Sequence, residues 1–377
     1  MRQVFYCRSL VIASSLAVSM ASAQTTTQDN SLANKVEETP PPTLNRFGLN
    51  YRMGFNITAK FRNLGGFPAL NNPMLTPDGS PWNYDNGYVL EDIQGNNSSL
   101  TWNWGYSGPR AAQISSDGQF LLLSRSSSSG AGNSFSRQDD PQEPGLELTY
   151  NREFGRIGQA GWGLEGAFNY LSVSIRDNST LHGDVTRQTD AYAFPADPTS
   201  PTGFVDPPNP PYFGNFQGPV PGGPNRPVIS QNPTPGQGSL TTIPNGATIA
   251  GQRKITADVY GFRFGPYAQF PIHEKWSLSL SAGLALASVN SQFKFNETVT
   301  IPGVGAMSRS GSASHSDLLV GGYAAGSFSY AFSRAWSASA GVQYQILGSS
   351  VSQAGGKVAE LDLRNSLFVT FGIGYSF

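Results

Sequence analysis

Residues 361–377, LDLRNSLFVTFGIGYSF, carry the pattern that decides the fold. From residue 367 onwards the odd positions are large and apolar, whereas most even positions are small or polar, with Phe368 as the exception. Period-2 alternation of this kind is typical of a β-strand with one face in an apolar medium and the other in a polar one. We therefore predict a two-faced strand that ends on the aromatic residue Phe377.

The first 23 residues have the features of a secretory signal peptide. Arg2 and Arg8 are basic, residues 9–20 are apolar, and residues 21–23 fit the A-x-A cleavage pattern. The mature chain is expected to lack the only cysteine, Cys7, and therefore all thiol and disulfide chemistry. Two of the 24 basic residues are lost, which leaves 22 against 25 acidic residues and a net charge of −3. This charge gives no reason to expect nucleic-acid binding.

Residues 24–46 are polar and contain three consecutive prolines, so we expect a flexible segment ahead of the folded region. Residues 47–61 then alternate without interruption, and fifteen residues is about three times the usual 5–6 residues of a soluble strand. A tilted transmembrane strand needs about 9–11 residues. After residue 23 no run of 18 apolar residues occurs, so no transmembrane helix is expected.

The same alternation recurs in seven further segments. They are residues 146–154, 162–175, 255–270, 276–293, 318–332, 336–347 and 361–377, which together with 47–61 predict eight strands. Long connections at residues 62–144 and 176–253 alternate with short turns, and the second is rich in proline and is predicted to be loop. Residues 294–315 and 348–360 are expected to be shorter loops, the first of which could open with a strand-extending hairpin. In residues 62–144 hairpins and one extra strand pair both remain open.

All eight segments place an aromatic residue at one end, where the short turns and both chain ends fall. These residues are Phe47, Phe154, Trp162, Phe270, Trp276, Phe332, Trp336 and Phe377. Amphipathic rings sit at the lipid headgroups, so we predict an interfacial belt. On three of these strands, eight to ten residues separate the belt residue from a tyrosine on the same face. This separation corresponds to a height of roughly 20–25 Å, close to the apolar band of about 25 Å in transmembrane barrels. A soluble β-sandwich is the alternative, but it does not require the belt.

With these features, residues 47–377 resemble the small outer-membrane barrels of the OmpA, OmpX and OmpW type. The resemblance implies an all-β fold, a closed antiparallel eight-stranded transmembrane β-barrel with long extracellular loops. It implies the outer membrane of a Gram-negative-type bacterium, with both termini and the segment 24–46 in the periplasm. It also implies that Phe371, Ile373, Tyr375 and Phe377 form the assembly signal. The two very long outer loops depart from the family, and we do not expect a peptidoglycan-binding domain after the barrel or anchoring to the cell wall.

The resemblance also defines the expected partners. They are outer-membrane lipid and lipopolysaccharide, the barrel assembly machinery and periplasmic chaperones, with no nucleic acid and with any surface ligand unidentified. The porin-like and OmpA-like character of the chain is likewise an expectation from the resemblance. No cofactor is implied.

An eight-stranded barrel encloses a space that side chains can fill. Inward positions on the first four predicted strands hold four charged residues, Arg52, Glu147, Glu165 and Arg263. We predict that they form one paired cluster, because a lone buried charge is costly. The other four strands contribute mainly Ser, Gly and Ala, with Tyr323, Gln343, Gln345 and Phe368 as larger residues. This composition predicts an interior that is plugged or at most very narrow.

Sites of chemistry are scarce in the sequence. His182, His273 and His315 are the only histidines, and their spacing does not indicate a metal site. His315, Ser316 and Asp317 are hydrolase residue types, but adjacent residues of a strand point to opposite faces and cannot form a relay. We therefore predict no catalytic, cofactor-binding or metal-binding residue, and a structural or surface-interaction role. Two alternatives stay open, a narrow channel for small solutes and a lipid-modifying barrel enzyme.

Overall fold

The computed structural model describes residues 45–69, 74–75, 81–95, 99–130, 132–137, 143–218 and 227–377. The predicted signal peptide and nearly all of residues 24–46 lie outside this part. In chain order the described strands are β1 Asn45–Phe55, β2 Thr58–Leu64, β3 Met74–Leu75, β4 Pro81–Trp82, β5 Gly87–Val89, β6 Leu100–Thr101, β7 Trp104–Tyr106, β8 Phe120–Ser127, β9 Gly132–Arg137, β10 Glu143–Ile157, β11 Ala160–Asp177, β12 Leu181–Ala193, β13 Tyr212–Phe213, β14 Ile229–Ser230, β15 Ser239–His273, β16 Trp276–Ile301, β17 Gly305–Ala331, β18 Trp336–Ile346, β19 Ser349–Ala354, β20 Lys357–Asp362 and β21 Ser366–Ser376, and α1 is Arg110–Gln113. Among these residues no helix has the length and apolar character needed to cross a membrane.

Eight of the strands are hydrogen-bonded in a ring. The order around it is β1, β10, β11, β15, β16, β17, β18 and β21, and β21 pairs with β1 again, every pair being antiparallel. Asn45 and Phe377 join the first and last strands through two backbone hydrogen bonds of 3.2 and 2.9 Å. The predicted all-β class and the eight antiparallel strands are thus confirmed.

The tight turns of the ring lie at the end that holds Asn45 and Phe377, which we call the turn end. Residues 158–159 join β10 to β11, residues 274–275 join β15 to β16, and residues 332–335 join β17 to β18. Gly158 has a φ of 63°, a left-handed conformation that glycine adopts without steric cost. These connections match the short turns predicted from the sequence.

At the other end, β11, β15, β16 and β17 continue beyond the ring. Strand β15 alone has 35 residues and pairs with β16 from Thr248 onwards, so ring and extension are one sheet. Strand β12 pairs with the first part of β15, and β8 pairs with β12. The predicted loop at residues 176–253 is therefore wrong, because much of it is strand. The expected strand-extending hairpin in residues 294–315 is present, and residues 348–360 also form a hairpin, β19 and β20.

A second sheet, in the order β19, β20, β2 and β9, faces the inner side of this extension. The sequence predicts one uninterrupted strand over residues 47–61, and this is wrong. Asn56 has a φ of 58°, and the chain turns there from β1 into β2. As a result Ala59 and Phe61 are fully buried between the two sheets.

The space between the two sheets is the main apolar core of the protein. Phe61 of β2 stacks on Phe293 of β16 with ring centroids 5.8 Å apart, and Phe293 also stacks on Phe295. We use the name cap for the described residues beyond the ring, namely β2–β9, β12–β14, β19, β20, α1 and the extensions of β11, β15, β16 and β17. Its outer part holds a second apolar cluster around Trp104, where the short strands β5, β7 and β13 pair. The described strands β3–β9, which lie within residues 62–144, thus add no strand to the ring.

Candidate functional site

The outward surface of the ring is a continuous apolar band. Its outward residues include the exposed side chains Leu49, Leu148, Phe168, Phe262, Leu280, Leu284, Val320, Phe328, Val342, Phe371 and Ile373. Exposed apolar patches on soluble monomers rarely exceed a few hundred Å². A band that runs around all eight strands marks a surface that is covered by an apolar medium.

The band ends at one level of the hydrogen-bond register. Tyr170 pairs with Tyr260, which pairs with Ser288, which pairs with Leu318. Two residues further out the outward positions are all polar, namely Ser172, Asp258, Asn290 and Ser316, which again pair in that order. The four extended strands therefore change their outward face from apolar to polar together.

The inward faces of the same strands change in the opposite sense. On β11, the inward residues Glu165 and Asn169 lie inside the ring, whereas the inward residues Leu171, Val173 and Ile175 lie in the cap core. Strand β16 changes likewise, from inward Ser279 to Phe293. Each strand is thus apolar outside and polar inside within the ring, and polar outside and apolar inside within the cap.

The residues of the predicted aromatic belt lie together at the turn end. Phe47, Phe154, Trp162, Phe270, Trp276, Phe332, Trp336 and Phe377 are all exposed on the outward face, between 40% and 54%. Two tyrosines lie beside these residues: the ring centroid of Tyr330 is 4.9 Å from that of Trp276, and the ring centroid of Tyr375 is 5.0 Å from that of Trp336. Phe371 and Ile373 are also exposed on the outward face of β21. Their role as an assembly signal stays a prediction.

The four charged residues predicted for the interior meet in one buried cluster. Glu147 accepts hydrogen bonds from both arginines, from Arg52 Nη1 to Oε2 at 3.1 Å and from Arg263 Nη2 to Oε1 at 2.9 Å. Arg263 Nη1 also pairs with Glu165 Oε1. The charges of the cluster cancel, and none of the four residues is more than 8% exposed.

The other four ring strands also contact the cluster. On β18, Gln345 Oε1 accepts a hydrogen bond of 3.0 Å from Arg52 Nη2. The same guanidinium lies over the ring of Phe368 on β21, with 3.5 Å from its carbon to the ring centroid. Ser281 of β16 donates to Glu165 at 3.0 Å, and Tyr323 of β17 lies beneath Arg263 with 5.0 Å to the ring centroid. The sequence places these residues inside the barrel but does not show which charge each one contacts. All eight strands are therefore tied together at this level.

The interior is filled on one side of the cluster and narrow on the other. Towards the turn end there is a cavity of about 70 Å³, whose lining includes five serines and three residues of the cluster: Ser279, Ser327, Ser329, Ser337, Ser339, Glu147, Glu165 and Arg263. Towards the cap, Tyr323 and Phe368 already belong to the apolar core. A passage along the ring would have to cross a layer of paired charges and then an apolar layer.

The outer part of the cap contains a buried polar network. Tyr84 donates a hydrogen bond of 2.7 Å to Asp190 and shares one of 2.6 Å with the Tyr192 hydroxyl. Arg125 and Gln188 also donate to Asp190, at 2.8 and 2.9 Å. Burial raises the pKa of Asp190, but these hydrogen bonds and the Arg125 charge lower it, and the pKa lies below its ordinary value. Burial raises the pKa of Tyr84, so its hydroxyl stays protonated and remains a donor.

The histidines form no metal site in the described residues, which contain no group of three potential metal ligands. His315 Nε2 lies 3.0 Å from Asp317 Oδ1, a contact between residues two apart on one face of β17. Ser316 points to the other face and donates to Asn290. The three residue types therefore do not meet, as the strand geometry predicts, but the His315–Asp317 pair is a contact that the sequence reading did not consider.

No protein-family model and no curated protein matches the chain. Solved structures that resemble it include Ail, the attachment invasion locus protein of Yersinia pestis (11% identity, 89% of this chain and 99% of that chain, TM-score 0.24) and the outer membrane protease OmpT of Escherichia coli (9%, 90% and 98%, TM-score 0.29). A FadL homologue of Pseudomonas aeruginosa also matches (8%, 89% and 90%, TM-score 0.17). Ail and OmpT are small outer-membrane β-barrels, the class that the sequence resembles. Likenesses this weak say nothing about activity, ligand or partner.

Glu147→Gln is expected to destabilise the ring by about 3–5 kcal/mol, because the buried Arg52 would lose its carboxylate partner and Arg263 would keep only Glu165. The measurement is the free energy of unfolding in detergent, from denaturant titration. Glu274→Gln, in an exposed turn, is the control and should change it by about 0.5 kcal/mol or less. Equal values for the two variants would show that the cluster contributes no more than a surface charge.

Asp190→Asn is expected to destabilise the cap at pH 7 by about 1.5–3 kcal/mol, the range for hydrogen bonds to a charged group. Because the folded pKa of Asp190 is lowered, this stability is present above its unfolded value of about 3.9 and is lost as pH falls through the folded value. The difference between wild type and variant in urea unfolding, followed by tryptophan fluorescence, should therefore shrink below about pH 4. Glu91→Gln, exposed in the cap, is the control. A difference independent of pH would contradict this role.

Proposed function

We propose that the chain is a non-enzymatic outer-membrane β-barrel protein with a plugged interior and a structural or surface-interaction role. The observation that carries the proposal is the exchange of apolar and polar faces at one register level. A bilayer explains it, because lipid surrounds the ring below that level and water surrounds the cap above it. The closed ring also satisfies the backbone hydrogen bonds, which lipid cannot do.

The dimensions of the band agree with this proposal. The band covers ten residue-to-residue steps on each of two strands, from Trp276 to Leu286 on β16 and from Phe270 to Tyr260 on β15. At about 3.3 Å per residue and the usual tilt, its height is roughly 20–25 Å, close to the apolar band of about 25 Å in transmembrane barrels. The aromatic belt would then lie at the periplasmic headgroups, with both chain ends in the periplasm and the cap outside the cell.

The proposed role is supported by the contrast between the filled interior of the ring and the polar surface of the cap. The interior is occupied by the charge cluster and the apolar core, which leaves the cap as the part available for contact outside the cell. Its outward face on β17 is polar and regular, with serines at positions 308, 310, 312, 314 and 316. The partners proposed are outer-membrane lipid, lipopolysaccharide, the barrel assembly machinery and periplasmic chaperones.

Single cysteines would test the orientation, since the sequence holds one cysteine, Cys7, within the predicted signal peptide. Ser310→Cys, exposed on the cap, should react with a membrane-impermeant maleimide on intact cells. Gln159→Cys, exposed at the turn end, should react only after the cells are permeabilised. Labelling of Gln159→Cys on intact cells would reverse the orientation, and protection of both sites until lysis would place the protein elsewhere.

Conductance would test the plugged interior. The purified, folded protein in a planar bilayer is expected to show no discrete openings, because ions would have to cross both the charge layer and the apolar core. Discrete openings that change in Glu147→Gln would instead support the narrow channel that the sequence leaves open. Heat-modifiable migration on a detergent gel shows beforehand that the sample contains folded barrel.

A further inference from the structure

One stretch of the lipid-facing surface differs from the rest of the apolar band. Among the described outward residues of the ring, from the belt to the level of Tyr170, Arg152 is the one charged side chain. It lies on β10 beside the belt, opposite Leu164 of β11. Within the described residues, the Arg152 side chain donates one hydrogen bond, a long one of 3.5 Å from Nη1 to Asn45 Oδ1. The guanidinium is therefore exposed and available at the level of the headgroups.

A groove of about 450 Å³ begins at Arg152 and runs up the outside of β10, β11 and β15. Its centre is Gly166, which pairs with Tyr150 on one side and with Phe264 on the other. A Cβ at Gly166 would meet nothing closer than Phe264 Cδ2 at 3.9 Å, so the space between the two rings is open. The walls are aromatic and aliphatic, and they include Phe168.

We propose that this groove is a binding site for one glycerophospholipid of the periplasmic leaflet. The lipid phosphate would pair with the Arg152 guanidinium, whose planar donors suit phosphate oxygens, and one acyl chain would lie in the slot at Gly166. The inference rests on the proposed function, because it requires the band to lie in a membrane. Lipopolysaccharide offers the same phosphate and acyl chemistry, but it occupies the outer leaflet, whereas Arg152 lies beside the belt at the turn end.

The test is native mass spectrometry of the purified protein titrated with phosphatidylglycerol in a mild detergent. Wild type should retain one lipid molecule. Arg152→Gln should weaken binding about tenfold or more, because a charge-assisted hydrogen bond to the phosphate is lost. Arg152→Lys should weaken binding less, because lysine keeps the positive charge. Gly166→Leu should weaken binding by filling the slot, and Gly166→Ala should do so to a smaller extent.

Gly326→Leu is the matched control, because Gly326 faces outward on β17, away from the groove, and a Cβ there has its nearest contact at 3.4 Å. It should bind phosphatidylglycerol as wild type does. Equal binding by all variants, or an equal loss in Gly326→Leu, would show general lipid contact and overturn the proposal. Retention of lipopolysaccharide instead of phospholipid would overturn the assigned lipid class.

The failure of this proposal can be told apart from the failure of the proposed function. Each sample is first checked for heat-modifiable migration and for recovery from the membrane fraction. If the folded barrel is recovered from membranes but binds no lipid at this site, only the proposal of a lipid site in the groove is overturned. A wild-type protein recovered only in soluble form would overturn the membrane assignment, and the groove with it.

Discussion

A strand that passes from lipid into water must exchange the polarity of its two faces, and the whole structure depends on this constraint. Within the bilayer the outside of a ring is the apolar medium, whereas beyond it the only place that excludes water is the inside. Strand β16 meets both conditions as one strand, without a register shift against β17. Its even-numbered positions face outward along the whole strand, and the last apolar one is Leu286, which is followed by Ser288. Its odd-numbered positions face inward and change from polar residues such as Ser279 to apolar ones such as Phe293. Because neighbouring strands change at the same register level, they can remain one continuous sheet.

The polar interior of the ring follows from the same constraint. The apolar outward residues are held by the surrounding medium, so the narrow space inside an eight-stranded ring is filled by the remaining, polar positions. Charges there are tolerated only when they are paired. Glu147 pairs with both arginines, and Glu165 pairs with Arg263. The other contacts to Arg52 come from Gln345 and Phe368. The cluster thus satisfies its charges with residues from every strand, which makes it sensitive to the closure of the ring.

The sequence predicts those parts of the structure that depend on local periodicity. Alternation identifies the eight strands and places Arg52, Glu147, Glu165 and Arg263 on their inward faces, and the tight turns set the register between neighbouring strands. The break at Asn56 escapes prediction, since Phe55, Ile57 and Phe61 keep the same alternation on either side of it. Partners across the ring, such as Gln345 for Arg52, depend on the stagger of distant strands, which periodicity does not contain. The reversal beyond Leu286 is visible in the sequence, but it does not predict a long extension of the sheet unless a second apolar core is expected there.

The continuity of the sheet has a consequence for the cap. Because β15 and β16 run unbroken from the ring into the cap, the orientation of the cap relative to the ring is set by hydrogen-bond register rather than by a flexible linker. The opposing sheet is held to the extension by the Phe61–Phe293 stack and by the buried pair of Lys357 and Glu297, whose Nζ and Oε1 are 2.6 Å apart. The outward residues of β15 and β16 in the cap are therefore held in a fixed register with the ring. Such a cap is suited to contacts that need a preformed surface, because little conformational entropy remains to be lost when a partner binds.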